Sequence, residues 1–296
     1  MPDRLLTASA ANGTVSLVAG ITTDLVREVQ VRHHLAPTAS AAVGRLITGA
    51  ALLGASLKGR ERLTLQISGD GPLQTLAADA HLEPSGAIGA RAYTKNPQVD
   101  IPLNAYGKFD VSGAVGTGQF QVTKSYEVGQ PYQGIVPLET GEIGDDIASY
   151  LLNSQQVPSV VALGVLANPA GIVAAGGIIA QLLPGADETT IAALEANAAA
   201  MAAVTTQIAD GATCEDLLTA MIGSLGLRIF RDFDLAFACR CTREKVESAL
   251  LGLGRDELVK IATEQPQTEA ICEFCKHTYV LSADEVGELV ARFDTK

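Results

Sequence analysis

Residues 159–183 read SVVALGVLANPAGIVAAGGIIAQLL, and how this stretch is read separates a membrane protein from one built on antiparallel sheet. It lies inside a longer segment, 147–186, that carries no charged side chain. A membrane-spanning helix needs ~20 uninterrupted apolar residues. Here Pro158, Asn168, Pro169 and the pair Gly176-Gly177 interrupt the run. Asn-Pro followed closely by Gly is a turn signal. Two runs rich in β-branched residues, 160–167 and 172–183, flank that turn. The stretch therefore reads as a buried hairpin.

The segments before it agree with a mixed sheet and helix domain. LLTASAANGTVSLVAG places two short runs around Asn12-Gly13, which predicts another hairpin. Residues 22–35 and 38–57 read as helices; the second has Arg45 as its one charge and so reads as buried. LTLQISGDGPLQTLAADA predicts two strands around Gly69-Asp70-Gly71-Pro72. Further short runs follow at 87–93, 108–111, 118–124 and 132–138. Gly144-Asp145-Asp146 opens a helix to about Ser154, where two carboxylates suit the positive end of the helix dipole. The fold class is α+β, and residues 1–180 read as its N-terminal core domain.

Residues 181–235 change character. They hold 12 alanines and a net charge of −6. Residues 187–209 read as one helix with a narrow stripe of Ile191, Leu194, Ala198, Met201 and Ile208. Thr213-Cys214-Glu215-Asp216 reads as a further helix start. The expectation is an acidic, Ala-rich helical linker whose helices dock weakly. Residues 236–296 then read as a small terminal module: two short helices over 237–264, a hairpin over 269–281, and a last helix after the capping box Ser282-Ala-Asp-Glu285.

Composition limits the partners. The chain has 296 residues, 47% hydrophobic and 18% charged, which excludes a disordered chain. Its net charge of −12 and lack of a Lys/Arg run argue against nucleic acid and anionic lipid. The N-terminus lacks the pattern of a secretory signal, so a cytoplasmic location is expected, with reduced cysteines.

Four of the five cysteines fall in the terminal module, as Cys239-Arg-Cys241, then 30 residues, then Cys272-Glu-Phe-Cys275. Two close pairs separated by a longer loop are the arrangement of four-coordinate zinc, and a four-thiolate set leaves no position for a catalytic water. One Zn2+ per chain is the expected cofactor, with Cys239, Cys241, Cys272 and Cys275 as ligands. Zinc holds sulfur as thiolate, which is also its oxidisable form.

With these cysteines stand PTASAAVGRLITGAALLGA at 37–55, GDGPLQTLAADA at 69–80, GEIGDDIASYLLNSQQVPS at 141–159 and AAGGIIAQLLPGA at 174–186. Together with CRC…CEFCKHTY they make the chain resemble the redox-regulated heat-shock holdase family, the 33 kDa chaperonins, over nearly its whole length. The resemblance implies an ATP-independent chaperone, not an enzyme, that is inactive when reduced and zinc-bound. Under oxidative stress it implies disulfides Cys239–Cys241 and Cys272–Cys275, zinc release, unfolding of module and linker, dimerisation of a reduced monomer, and holding of unfolding client proteins. Two such disulfides close very short loops, worth roughly 2 kcal/mol each, and neither joins residue 241 to residue 272.

Other candidates have plainer readings. His33-His34 lie on a helix and point apart; His277 is an alternate ligand that a four-thiolate site does not need. SGAVGTG at 112–118 lacks the order of a phosphate-binding loop. Asp145-Asp146 read as a helix start rather than a catalytic pair, and Cys214 as a buried spectator. The competing functions are a zinc-ribbon nucleic-acid binder, disfavoured by the module's charge of −3, and an enzyme with a structural zinc tail.

Overall fold

The computed structural model describes residues 2–293. The chain divides into two compact units, the first ending at Ala238 and the second starting at Cys239.

The first unit is built on one ten-stranded sheet. Its strands are β1 (Arg4–Ala10), β2 (Val15–Ile21), β3 (Arg62–Gly69), β4 (Thr75–Leu82), β5 (Ile88–Thr94), β6 (Gly118–Ser125), β7 (Tyr132–Pro137), β8 (Ser159–Asn168), β9 (Gly171–Leu182) and β10 (Arg228–Phe237). They are ordered β7-β6-β3-β4-β5-β10-β1-β2-β9-β8. The opening stretch is the hairpin β8–β9, its turn at Pro169-Ala170. β9 pairs on its other side with β2 and is buried, whereas β8 is an edge strand and mostly half-buried, so the expected buried hairpin is buried along one strand only. Among the described residues no helix is long and apolar enough to cross a membrane.

One face of the sheet carries α1 (Thr23–His33), α2 (Pro37–Gly54), α3 (Val111–Val115) and α4 (Gly144–Asn153). α2 is the centre of the core: its Ala, Leu and Ile side chains are buried against Leu65, Ile67, Leu76 and Ile88. Small residues allow its close approach. A Cβ on Gly44 would lie 2.8 Å from Val26, and one on Gly49 would lie 2.4 Å from Ile147. Arg45, its one charge, is paired with Glu142. The run expected at 108–111 leads into the short helix α3, with Asp110 accepting from the Gly113 N–H at 2.9 Å.

The opposite face of β1, β2 and β9 carries α5 (Glu188–Ala200), α6 (Val204–Ala209) and α7 (Cys214–Ile222). The single helix expected over 187–209 is two, because Met201 and Ala203 adopt extended backbone between them. Docking is uneven. α5 buries Leu194 as its one large apolar side chain, whereas α7 buries Leu217, Leu218, Met221 and Ile222 against Leu6, Leu17 and Ile178. α7 starts as the sequence predicts, with Thr213 accepting from the Asp216 N–H at 3.2 Å.

The residues after α7 depart from expectation. Arg228–Phe237 is a strand, not helix, and it occupies the middle of the sheet. It runs antiparallel to β1 and parallel to β5. Four charged side chains in ten residues obscure it in the sequence, and only Phe233 among the ten is fully buried.

α1 is capped from outside its own segment. The Asp3 carboxylate accepts from the N–H groups of Asp24 at 3.0 Å and Leu25 at 2.6 Å. Burial pushes this carboxyl from 3.8 up to about 6, partly offset by those two N–H donors. A folded-state value above the unfolded one adds stability at low pH that is lost as pH rises through the folded value. We therefore expect the stability difference between wild type and Asp3→Asn to fall by on the order of 3 kcal/mol between about pH 4 and about pH 7. Parallel urea titrations measure it; a difference that does not change with pH would refute the assignment.

The second unit holds α8 (Arg243–Leu251), α9 (Arg255–Glu264), the hairpin β11 (Gln267–Ile271) and β12 (Thr278–Ser282), and α10 (Ala283–Ala291). Among the described residues its buried apolar core is five side chains: Leu250, Leu258, Leu281, Val286 and Leu289. All elements foreseen for this module are present, including the Thr242 and Ser282 caps.

Candidate metal centre

Cys239 and Cys241 lie in the extended segment before α8. Thr242 follows at once as the N-cap of that helix, accepting from the Lys245 N–H at 3.3 Å, so the second thiol is fixed against a helix start. Cys272 and Cys275 occupy the turn of the β11–β12 hairpin. That turn closes on itself through the Cys272 N–H to the His277 carbonyl at 3.0 Å and the Lys276 N–H to the Cys272 carbonyl at 2.8 Å. Lys276 takes the left-handed conformation, φ 58°, that so tight a turn demands. Arg243 brings the two halves together: it donates to the Val280 carbonyl at 3.1 Å and to Glu285 at 2.5 Å.

The result is a cluster of four sulfurs, all within 4.8 Å of one another. Cys239 and Cys272 are 3.7 Å apart, and Cys241 and Cys275 are 3.4 Å apart. A tetrahedron of thiolates at ~2.3 Å from a central Zn2+ has edges of about 3.8 Å. The donor set is all sulfur, which suits Zn2+ and disfavours Mg2+ or Ca2+. The residues present therefore fit a closed zinc site. In a tetrahedron all six edges are alike, so proximity does not choose which cysteines pair on oxidation.

Electrostatics lead to the same cation. With no positive charge among the sulfurs, burial raises the Cys272 thiol and pushes Cys275 up to about 12. The backbone partly opposes this. N–H groups of Phe274 and Cys275 favour the Cys272 thiolate, and that of His277 favours Cys275. Four thiolates at this spacing need a divalent cation to coexist.

Tyr279, which the sequence analysis did not single out, also reaches the cluster. Its hydroxyl donates to the Cys241 sulfur at 3.2 Å, which also pushes the phenol up to about 12. The ring is held edge-on against His277, centroids 4.6 Å apart. Donors to a ligand atom orient it, and losing one typically costs 10–100-fold in metal affinity. We expect Tyr279→Phe to weaken Zn2+ retention by about tenfold with the hairpin intact. Competition against a chromophoric chelator measures this; unchanged affinity would make Tyr279 a packing residue alone.

The remaining candidates are not brought together. His277 packs on Tyr279 outside the sulfur cluster. His33 is buried near the end of α1, and His34 is its left-handed cap. In the Gly-rich segment the Asp70 carboxylate accepts from the Thr117 N–H and hydroxyl, both at 2.7 Å, filling the place a phosphate would need. Asp146 is fully buried and accepts from the N–H groups of Glu139, Thr140, Gly141 and Ile143, so it is a loop anchor. Cys214 belongs to the first unit and is not in the sulfur cluster. Its thiol, pushed up to about 11 by burial, is 3.4 Å from the Arg4 carbonyl.

Known proteins resemble this chain over nearly its whole length. A family model described as Hsp33 protein matches residues 3–282. The 33 kDa chaperonin of Bacillus velezensis is 42% identical over 97% of this chain and 98% of its own length. That of Acaryochloris marina is 40% identical over 100% of this chain and 99% of its own. The crystal structure of the 33 kDa chaperonin from Thermotoga maritima superposes with a TM-score of 0.90 at 31% identity, covering 100% of both chains.

Proposed function

The chain belongs to the Hsp33 family, and from that premise we propose that it is a redox-regulated, ATP-independent holdase. Family membership carries the chaperone role. The regulation rests on one observation: among the described residues of the second unit five apolar side chains are buried, and the sulfur cluster links residues 239–241 to residues 272–275.

In the reduced state Cys239, Cys241, Cys272 and Cys275 hold one Zn2+. The bound cation supplies a cross-link and keeps all four sulfurs as thiolates. Hypochlorous acid, or peroxide with heat, pairs Cys239 with Cys241 and Cys272 with Cys275. As each S–S bond forms, its two thiolates give two electrons to the oxidant and two ligands are lost. The cross-link is then replaced by two local clips, and the second unit loses its organising centre.

Loosening next reaches residues 181–235. α5, with one large buried side chain, has the least to hold it, and the net charge of −6 on residues 181–235 works against compaction. As these helices lift, Leu6, Leu17 and Ile178 on the sheet lose their cover. That apolar face, with the unfolded helices, holds unfolding clients against aggregation, in a homodimer formed from reduced monomers. None of this requires turnover of a substrate, nor a nucleic acid or membrane partner.

The test is light scattering of a heat-unfolded client without ATP. Suppression only by oxidised protein, reversed by dithiol reductant with Zn2+, is the expected result. Equal suppression in both redox states would leave a constitutive chaperone with a structural metal, and suppression in neither would end the reading.

A further inference from the structure

The sheet has a weak strand at its centre. β10 alone joins β7-β6-β3-β4-β5 to β1-β2-β9-β8. Its pairing with β5 is a parallel register of three residues, Leu235–Phe237 against Ile88–Ala90. Its pairing with β1 is broken by an irregularity between Thr7 and Ala8. By contrast, β5 pairs with β4, and β1 with β2, over seven residues in regular register. Phe233 is the one fully buried side chain of β10, with Leu235 and Phe237 half-buried on the same face; Phe230 is 55% exposed. The strand's C-terminal residue is two positions before Cys239.

We propose that β10 is a displaceable strand, and that the slot it vacates between β1 and β5 binds an extended segment of an unfolding polypeptide by main-chain pairing. Unfolding of the chain at Cys239 as its trigger rests on the function proposed above. Release leaves backbone N–H and C=O groups unpaired on β1, which held residues 228–234, and on residues 88–90 of β5, which held residues 235–237, one after the other along the vacated path. Such groups seek partners. An extended segment that follows this path would pair first with β1 and then with β5, as β10 itself does. Recognition by backbone is tolerant of sequence, and side-chain pockets on alternate positions add preference. Here those positions are the ones held by Phe233, Leu235 and Phe237, so the slot favours segments with apolar residues at every second position.

The experiment uses the full chain and a labelled peptide of residues 228–237, RIFRDFDLAF. The peptide is expected to bind oxidised, metal-free protein at least tenfold more tightly than reduced protein. Client should displace it, and a version N-methylated at alternate residues should not bind. Amides of β1 and β5 should lose hydrogen-exchange protection on oxidation and regain it with client. Client held while those amides stay protected would overturn the slot and leave the holdase reading standing. Absence of any holding on oxidation would instead overturn that reading. The slot is then decided in reduced protein by Phe233→Asp, which should open β1 and β5 and admit the peptide without oxidant. Unchanged exchange in that variant counts against the proposal. If that variant does not fold, wild-type exchange decides: amides of β10 exchanging no faster than those of β3 and β4 would overturn displacement. Cross-links from β10 of one copy to β1 of another, in place of client, would make the occupant a second copy and overturn the assignment.

Discussion

Chelating the metal from reduced protein should unfold residues 239–293 while leaving the ten-stranded sheet folded. Structural Zn2+ can supply ~10–16 kcal/mol to folding. A whole domain is usually stable by only ~5–15 kcal/mol. Here the competing source of stability is five buried side chains. The helices around them have nine, ten and nine residues. Helices that short are marginal in water without a partner. The two sheet residues nearest the thiols, Ile271 and Thr278, pair only with each other across a two-stranded ribbon. Such ribbons are also marginal alone. Hydrogen exchange would show it: amides of β12 and α10 should lose nearly all protection, while those of β3 and β4 keep theirs. Cys272→Ser should act in the same way without chelator. Retained protection in both would mean that apolar packing alone folds this unit, and the redox mechanism would lose its lever.

The second large effect lies on the other side of the molecule. Replacing Leu217 and Met221 by alanine should give a chain that holds clients while still reduced and metal-loaded. Both side chains are fully buried on α7, the helix that anchors the cover over β1 and β2. Each large-to-small change in a core costs about 2–5 kcal/mol. They sit one helical turn apart, so their effects will not simply add. α5 offers little compensation, having Leu194 as its one large buried side chain. Hydrophobic dye binding and aggregation suppression should both rise. A double variant that stays silent in the reduced state would place the client surface away from this face.

Most of the architecture was legible because its signals are local. Asn-Pro and Asn-Gly turns, the alternation of β3, and the nearly uncharged α2 each announce themselves within twenty residues. The four thiols were equally plain, since spacing alone identifies the donor set. What escaped depends on contacts distant in sequence. β10 is paired with strands about 150 and 225 residues earlier, and its charges at 228, 231, 232 and 234 mask the alternation of Phe233, Leu235 and Phe237. Asp3 capping α1 and Tyr279 reaching Cys241 are likewise tertiary. The break between α5 and α6 falls in an Ala-rich run where no Pro or Gly marks it.

The late position of β10 also bears on how the protein is made. By residue 182 every other strand of the large sheet has been synthesised, and each neighbouring pair among them can form. The two halves nevertheless have no joining strand until residue 237 is added. At ~5–20 residues per second, those 55 residues take about 3–11 s. Each nascent chain therefore passes through an interval as two separate sheets with open inner edges, and the final folding event on the sheet is the suture of its halves.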